Sequence, residues 1–216
     1  MKQKFLFKEL LVLSFLTLTL TSFCQDKSIT TEGNEITWLG MDFSQAKFIG
    51  SAYQFKDAGA ITNEEFKEKY APGWNQLFID EIKKYNVAES VNRPEVKYAV
   101  EVTEKANSLI KVHEFFSDNP DDYKKLDEQK VKDLVKKYDF KGNTGIGLMF
   151  FVDGLSKTKE EAGAWVTFVD MKAKSVLYTY YDTGKAGGIG FKNYWAKSFL
   201  TILKNVKDEY KKWKKG

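Results

Sequence analysis

The sequence predicts an α/β (α+β) fold: a mixed sheet of about five strands that ends in a C-terminal antiparallel hairpin, with helices packed on it. Two apolar patterns predict this class. Period-two or continuous apolar segments indicate strands, and apolar residues at helical spacing lie between and after them. The composition supplies a core, because 43% of the 216 residues are hydrophobic and 15% are aromatic, with only 3 Pro. The predicted strands are residues 36–43, 96–103, 145–152, 164–170 and 175–182.

Residues 1–24 are predicted to be an export signal. Three lysines among the first eight residues precede the apolar run 10–20, which suits a secretory signal and is too short for a bilayer span of about 20 residues. Cleavage is expected before Gln25. The minority alternative is a lipid anchor on Cys24, although Phe23 stands where a lipoprotein motif has a small residue. No transmembrane span is expected, and the protein is expected to be periplasmic or associated with the outer membrane.

Residues 25–216 are predicted to form a single globular domain, because no Pro-, Gly- or Ser-rich linker and no internal repeat divides them. The composition excludes several function classes. The formal charge of +4, from 34 basic and 30 acidic residues, is too near balance for a dedicated nucleic-acid binder. One Cys and one His exclude a disulfide scaffold, a thiolate-rich zinc site and most multi-histidine metal centres. No cofactor and no metal are expected.

The first helices follow the strand at 36–43. Thr62 and Glu65 form a capping box that opens a helix, which we expect to stall near Ala71 and to restart at Pro72. The restarted helix carries apolar residues at helical spacing up to Tyr85. These residues therefore predict two successive helical segments on one face of the sheet.

The middle of the chain predicts a half-exposed strand and a charged helix. Residues 96–103 alternate between apolar and polar side chains, which is the period of a strand with one solvated face. Asn119 and Pro120 then provide a cap and a first-turn proline, and acidic residues follow at the positive end of the helix. A charged helix is expected from there to about Tyr138.

The last third gives the clearest patterns. Residues 145–152 are almost continuously apolar, which predicts a strand covered on both faces. The strands at 164–170 and 175–182 follow it and are joined by the turn at 171–174. After a glycine-rich segment at 184–190, a closing helix is predicted whose apolar residues form one stripe. The stripe comprises Trp195, Phe199, Ile202, Val206, Tyr210 and Trp213.

The order of these elements resembles the amino-terminal TolB-type domain, a shape shared by the curli-secretion lipoprotein and by lipoprotein activators of penicillin-binding proteins. The resemblance covers roughly residues 36–85 and 145–206, and it rests on Trp38-Leu-Gly-Met-Asp-Phe43, the segment from Trp165 to Leu177, the glycine-rich turn and the closing helix. It implies an envelope assembly or protein-docking module without catalytic residues. The leader ending in Cys-Gln, and the abundant Lys, Asn and Phe, are similar to proteins of Gram-negative, Bacteroidetes-type bacteria.

Two short motifs imitate catalytic signatures. Asp182-Thr183-Gly184 is similar to the aspartic-protease triplet, but Lys185 follows where those enzymes have Ala, so a polar turn ending a strand is the favoured interpretation. Ser156 and Lys159 fit the Ser-x-x-Lys element of penicillin-recognising enzymes. The remaining elements of that family are misplaced or missing, and Ser156 is expected in a solvated loop. His113 has no second histidine with which to hold a metal.

The glycine-rich segment before the closing helix is the predicted partner-binding site. A phosphate cradle is the less favoured interpretation, because the segment matches neither phosphate-binding glycine pattern. The C-terminal lysines at 211–215 are interpreted as complementing the helix dipole rather than as a lipid contact. The predicted site comprises Lys185, Gly187, Gly188, Phe191, Lys192, Asn193, Tyr194 and Trp195.

These observations predict an exported, non-enzymatic envelope module that docks to an envelope protein or a cell-wall polymer. Two alternatives stay open. A carboxylate-dependent envelope hydrolase would use Asp42 and Asp182, which would have to converge on one substrate. A small-ligand carrier would need an enclosed apolar cavity rather than a filled core.

Overall fold

A computed structural model of the chain describes residues 27–50 and 61–214. The predicted export signal, with Cys24, lies outside these residues. The described part is a mixed α/β structure in which helices pack on both faces of a largely parallel sheet, so the predicted fold class is confirmed at this level. The sheet contains seven strands, where about five were predicted. They are β1 (Ile36–Asp42), β2 (Lys47–Ile49), β3 (Lys97–Tyr98), β4 (Phe116–Ser117), β5 (Ile146–Ser156), β6 (Glu161–Asp170) and β7 (Ser175–Lys185).

Strands β1 and β2 lie end to end along one edge of β5. The other edge of β5 pairs with β6 in antiparallel orientation over its whole length, so β1 and β2 share the remaining edge, both in parallel orientation. The outer edges of β1 and β2 pair in parallel with β3 and β4, and β7 pairs in antiparallel orientation with β6. The seven strands therefore form five rows, and residues 43–46 interrupt the second row.

Six α-helices accompany the sheet in the described part of the chain. The predicted capping box is present, with the Thr62 hydroxyl and the Glu65 side chain each accepting a backbone N–H. A π-helical segment, Phe66–Tyr70, separates the first two helices where the sequence predicts a stall, and Pro72 occupies the first turn of the second. The helices are α1 (Asn63–Glu65), α2 (Ala71–Asp80), α3 (Val87–Ser90), α4 (Glu101–Asn107), α5 (Glu128–Lys137) and α6 (Phe191–Trp213).

Two predicted elements in the middle of the chain are wrong. The strand expected at 96–103 is reduced to β3, because the chain turns into α4 and the Asn107 side chain of that helix bonds the backbone at the end of β1 instead. The charged helix expected from Asn119 is a short 3-10 helix at Pro120–Asp122 followed by a separate α5. Asp153 explains the gap, because its Oδ1 accepts the backbone N–H groups that follow the 3-10 helix and holds them in a non-helical path.

The sheet separates two apolar layers. The larger layer lies between the sheet and helices α2 and α6 and contains most of the predicted α6 stripe in buried form. The smaller layer lies on the opposite face under α4 and α5. Every residue of β1 and β5 is buried, as the continuous apolar run at 145–152 predicted.

Candidate functional site

The glycine-rich connection between β7 and α6 is a short, well-anchored loop at residues 186–190. The N–H of Ala186 donates to the carbonyl of Glu160 over 2.8 Å, and the N–H of Gly187 donates to the carbonyl of Tyr194 over 3.0 Å. Gly188 and Gly190 have φ angles of 110° and 81°, which side chains with a Cβ rarely adopt. At the other end of the loop, the carbonyl of Gly190 accepts the N–H of Tyr194 over 2.9 Å. The loop is therefore fixed at both ends, and its backbone depends on glycine.

Ile189 projects from the tip of this loop. Its side chain is 87% exposed, the largest value among the large apolar residues in the described part of the chain. The sequence-based site omitted Ile189, although an isoleucine between two glycines is a visible signal for an apolar residue without local packing partners. A fixed loop thus presents an apolar side chain to solvent.

The predicted site residues divide into a surface set and a buried set. Lys185, Lys192 and Asn193 are exposed. Phe191 and Trp195 are 2% and 0% exposed, so their rings belong to the core and are not available to a partner in this structure. They fix the start of α6, because the Phe191 ring packs against Tyr70, Trp74 and Phe48.

Lysines surround the loop. The connection between β5 and β6 at 157–160 lies beside it, since the Lys185 ammonium donates to the carbonyl of Lys159 over 3.1 Å. The Lys157 ammonium donates to the Tyr194 hydroxyl over 3.1 Å. We call residues 157–161 and 185–197 the glycine-loop surface. It carries five lysines against two acids, Glu160 and Glu161, and therefore has a net positive charge.

The two acids of the hydrolase alternative do not converge. Asp42 accepts a hydrogen bond from the Tyr138 hydroxyl on the side of α5, whereas Asp182 accepts one from Asn205 of α6, on the opposite face of the sheet. They also lie three rows apart, which corresponds to about 14 Å at the usual strand spacing. This pair cannot act as general acid and base on one substrate atom.

Comparison with known proteins does not add to this geometry. No protein-family model, curated protein or solved structure matches the chain. Within residues 27–50 and 61–214, no helix has the length and apolar character needed to cross a membrane. The candidate site is therefore supported only by the contacts and the exposure described above.

Asp182 lies inside β7 and not in a turn that ends a strand, which corrects the sequence-based interpretation. Burial raises the pKa of its carboxyl group, and its Oδ2 has no hydrogen-bond partner in the described part. Position 184 requires glycine, because a Cβ there would lie 2.0 Å from the Ser198 carbonyl oxygen of α6. The Asp-Thr-Gly triplet is thus explained by the close approach of α6 to β7.

Ser156 was expected in a solvated loop, and this expectation is wrong. It is the last residue of β5, it is 2% exposed, and its Oγ accepts the backbone N–H of Lys159 over 3.2 Å. The hydroxyl therefore caps a turn.

His113 is exposed in a 3-10 helix, and no group of three or more His, Cys, Asp or Glu side chains within the described ranges could hold a metal ion.

Proposed function

We propose that this protein is an exported, non-enzymatic module of the cell envelope that docks to another envelope protein through the glycine-loop surface. One observation carries the proposal: Ile189 is held 87% exposed by a loop that is hydrogen-bonded at both ends. A fixed loop loses little conformational freedom on binding, so the burial of its apolar tip contributes to affinity with a small entropic cost.

The chemistry of the surface favours a particular partner. The five lysines of the glycine-loop surface complement an acidic patch, and Ile189 requires an apolar cavity beside that patch. Folded proteins offer both features together, whereas a hydrated cell-wall polymer offers the charge without the apolar cavity. The proposed partner is therefore an acidic envelope protein rather than a polymer.

The location in the envelope is part of the proposal. It is supported by the predicted export signal at 1–24 and by the resemblance of residues 36–85 and 145–206 to TolB-type envelope domains. Proteins of that type act by docking, which agrees with a site built from a loop and lysines. A lipid anchor on Cys24 is the alternative to cleavage before Gln25.

The experiment is a capture assay with the purified chain, lacking residues 1–24, on envelope extract from the source organism. The wild-type protein is expected to retain one partner in stoichiometric amount. Ile189→Ser is expected to reduce its retention about tenfold or more, the effect of one central apolar contact. Ile82→Ser is the matched control, because Ile82 is also an exposed isoleucine, at 47%, and it lies two residues after α2, outside the glycine-loop surface.

Two results would contradict the proposal. One is equal retention of the partner by the wild type and by Ile189→Ser, and the other is the absence of any stoichiometric protein. Asp182→Asn tests the hydrolase alternative in the same assay, because docking should be unchanged by it. Retention of a polysaccharide in place of a protein would show that the partner class is wrong.

A further inference from the structure

The interruption between β1 and β2 opens a cleft of about 370 Å³. At Phe43 the chain leaves the sheet, and the carbonyl of Phe43 accepts the N–H of Ala46 over 3.0 Å in a tight turn. The Phe43 ring enters the larger apolar layer, where it packs against Phe66 and Trp74. The turn therefore leaves space beside the sheet, and that space is bordered by α5 and the end of α4.

The cleft lies where open α/β sheets bind ligands, outside the carboxyl end of a parallel strand. Its lining includes Asp42, the last residue of β1, whose side chain is almost completely buried. Oδ1 of Asp42 accepts the N–H of Ser44 over 2.7 Å, and Oδ2 accepts the Tyr138 hydroxyl over 3.0 Å. Each carboxylate oxygen has a second lone pair, so Asp42 can accept a further hydrogen bond from a ligand.

The wall of the cleft is apolar and its rim is basic. Leu109, Ile110 and Leu134 line the wall, and Leu109 is 71% exposed. Lys47, Lys111 and Lys137 line the rim together with a single acid, Glu114. The carboxylate of Glu114 lies 3.9 Å from the Lys47 ammonium and 3.5 Å from the Lys111 ammonium.

Lys137 supplies the third positive charge of the rim. It is exposed at the end of α5 and has no ion pair within 4.0 Å among residues 27–50 and 61–214. Three ammonium groups thus face one rim carboxylate and one buried carboxylate, which favours an anion over a cation at the mouth. A cleft at the small end of the usual range for ligand sites fits a molecule with one ring.

We propose that this cleft binds a small organic anion with an apolar body and a hydrogen-bond donor at the end opposite the anionic group. The anionic group meets Lys137 and Lys111 at the rim, the apolar body lies against Leu109, Ile110 and Leu134, and the donor reaches Asp42. This binding is separate from docking, because the glycine-loop surface contributes no residue to the cleft.

The test uses three probes of one shape, with binding followed by the backbone amide NMR signals of the full mature chain. 4-Hydroxyphenylacetate carries the anion and the donor, phenylacetate lacks the donor, and tyramine replaces the anion with a cation. Saturable shifts are expected at residues 106–110 and 134–138. The affinity for 4-hydroxyphenylacetate is expected to exceed that for either other probe by about fivefold or more, the value of one hydrogen bond or one exposed charge pair.

Two variants separate the rim from general surface charge. Lys137→Ala is expected to weaken 4-hydroxyphenylacetate about fivefold, as loss of an exposed charge contact does. Lys136→Ala, its neighbour on α5, pairs with Asp133 over 3.0 Å and does not line the cleft, so it should leave the affinity unchanged. The proposal is overturned if none of the probes gives saturable shifts at millimolar concentration, if tyramine binds most tightly, or if both lysine variants have the same effect.

Discussion

Asn75 of α2 pairs with Met41 of β1 as a neighbouring strand would. Its Oδ1 accepts the Met41 N–H over 2.7 Å, and its Nδ2 donates to the Met41 carbonyl over 3.0 Å. Asn107 of α4 adds a second pair of bonds, from the Phe43 N–H and to the Met41 carbonyl. Because β3 covers β1 only at Thr37 and Trp38, these two amides satisfy the open edge of β1 just before the break that forms the cleft.

Replacing either amide should therefore destabilise the fold. Asn107→Ala leaves the buried N–H of Phe43 without a partner, and each such loss costs about 1–3 kcal/mol. We expect Asn75→Ala and Asn107→Ala each to lower the free energy of unfolding, measured by urea denaturation, by about 1–3 kcal/mol or more. Gln76→Ala is the control, because the Gln76 side chain bonds Asp80 on the exposed surface. Equal effects of all three substitutions would contradict this role of the amides.

Gly40 is required by the same contact. Its φ is 95°, and a Cβ there would lie 2.6 Å from Oγ1 of Thr103 and 2.9 Å from Oδ1 of Asn75. Gly142 has a similar φ of 78° with nothing within 4 Å of the same position, so it isolates the backbone cost. Gly142→Ala should cost about 1 kcal/mol and Gly40→Ala clearly more, by thermal or urea unfolding. An equal loss of stability in the two variants would show that a Cβ at position 40 does not clash with Thr103 and Asn75.

Asp153 should make stability depend on pH. The residue is fully buried in β5, and burial raises its pKa to about 6 although two backbone N–H groups favour the charged form. A folded pKa above the unfolded value means that the folded state holds the proton more tightly. This contribution to stability is therefore fully present only below the ordinary aspartate pKa of about 3.9, and it is lost as the pH rises from there through about 6.

Asp153→Asn removes this titration and keeps an oxygen that can accept the same N–H groups. We expect the unfolding free energy of Asp153→Asn to change less between pH 4 and pH 7 than that of the wild type. The two changes should differ by a few kcal/mol at most. The comparison is a series of urea denaturation curves across that pH range. Parallel pH profiles for the two proteins would rule out a buried, titrating Asp153.

Arg93 is the only arginine of the chain, and it fixes the segment at 27–34. Its guanidinium donates to the carbonyls of Ile29, Thr31 and Asn34 and to the Tyr210 hydroxyl at the end of α6. Lysine cannot supply this planar set of donors. Arg93→Lys should therefore speed hydrogen exchange in residues 29–34 about tenfold or more. The control is Lys97→Ala, which removes only the exposed ion pair with Glu35 and should change this exchange little. Unchanged exchange in Arg93→Lys would mean that the segment is fixed by other contacts.

Patterns complete within one segment could be predicted from the sequence. The strand β1, the capping box at Thr62, the buried strand β5 and the α6 stripe each rest on local spacing, and the structure contains all four. The alternation at 96–103 was a poor guide because Val102 is also buried in the smaller apolar layer when it belongs to a helix, α4. In addition, the edge of β1 is satisfied by amides distant in sequence. Nothing local distinguishes Asn107 from a surface asparagine.

Only the locally encoded part of the candidate site could be predicted from the sequence. The glycines indicated a loop, but whether its aromatic neighbours faced solvent depended on packing between α6 and β2, which places Phe191 and Trp195 in the core. The cleft could not be predicted, because it arises from two strands that share one edge of β5. Asp42 was singled out as a strand-end acid without the lysines that surround it in space.

Photo-cross-linking in living cells tests the docking function most directly. A photoreactive amino acid is placed at position 189 or at position 82 of the full-length protein, and the envelope fraction is analysed for covalent adducts. We expect one discrete protein adduct from position 189 and none from position 82. No adduct from position 189, or the same adducts from both positions, would contradict the docking function.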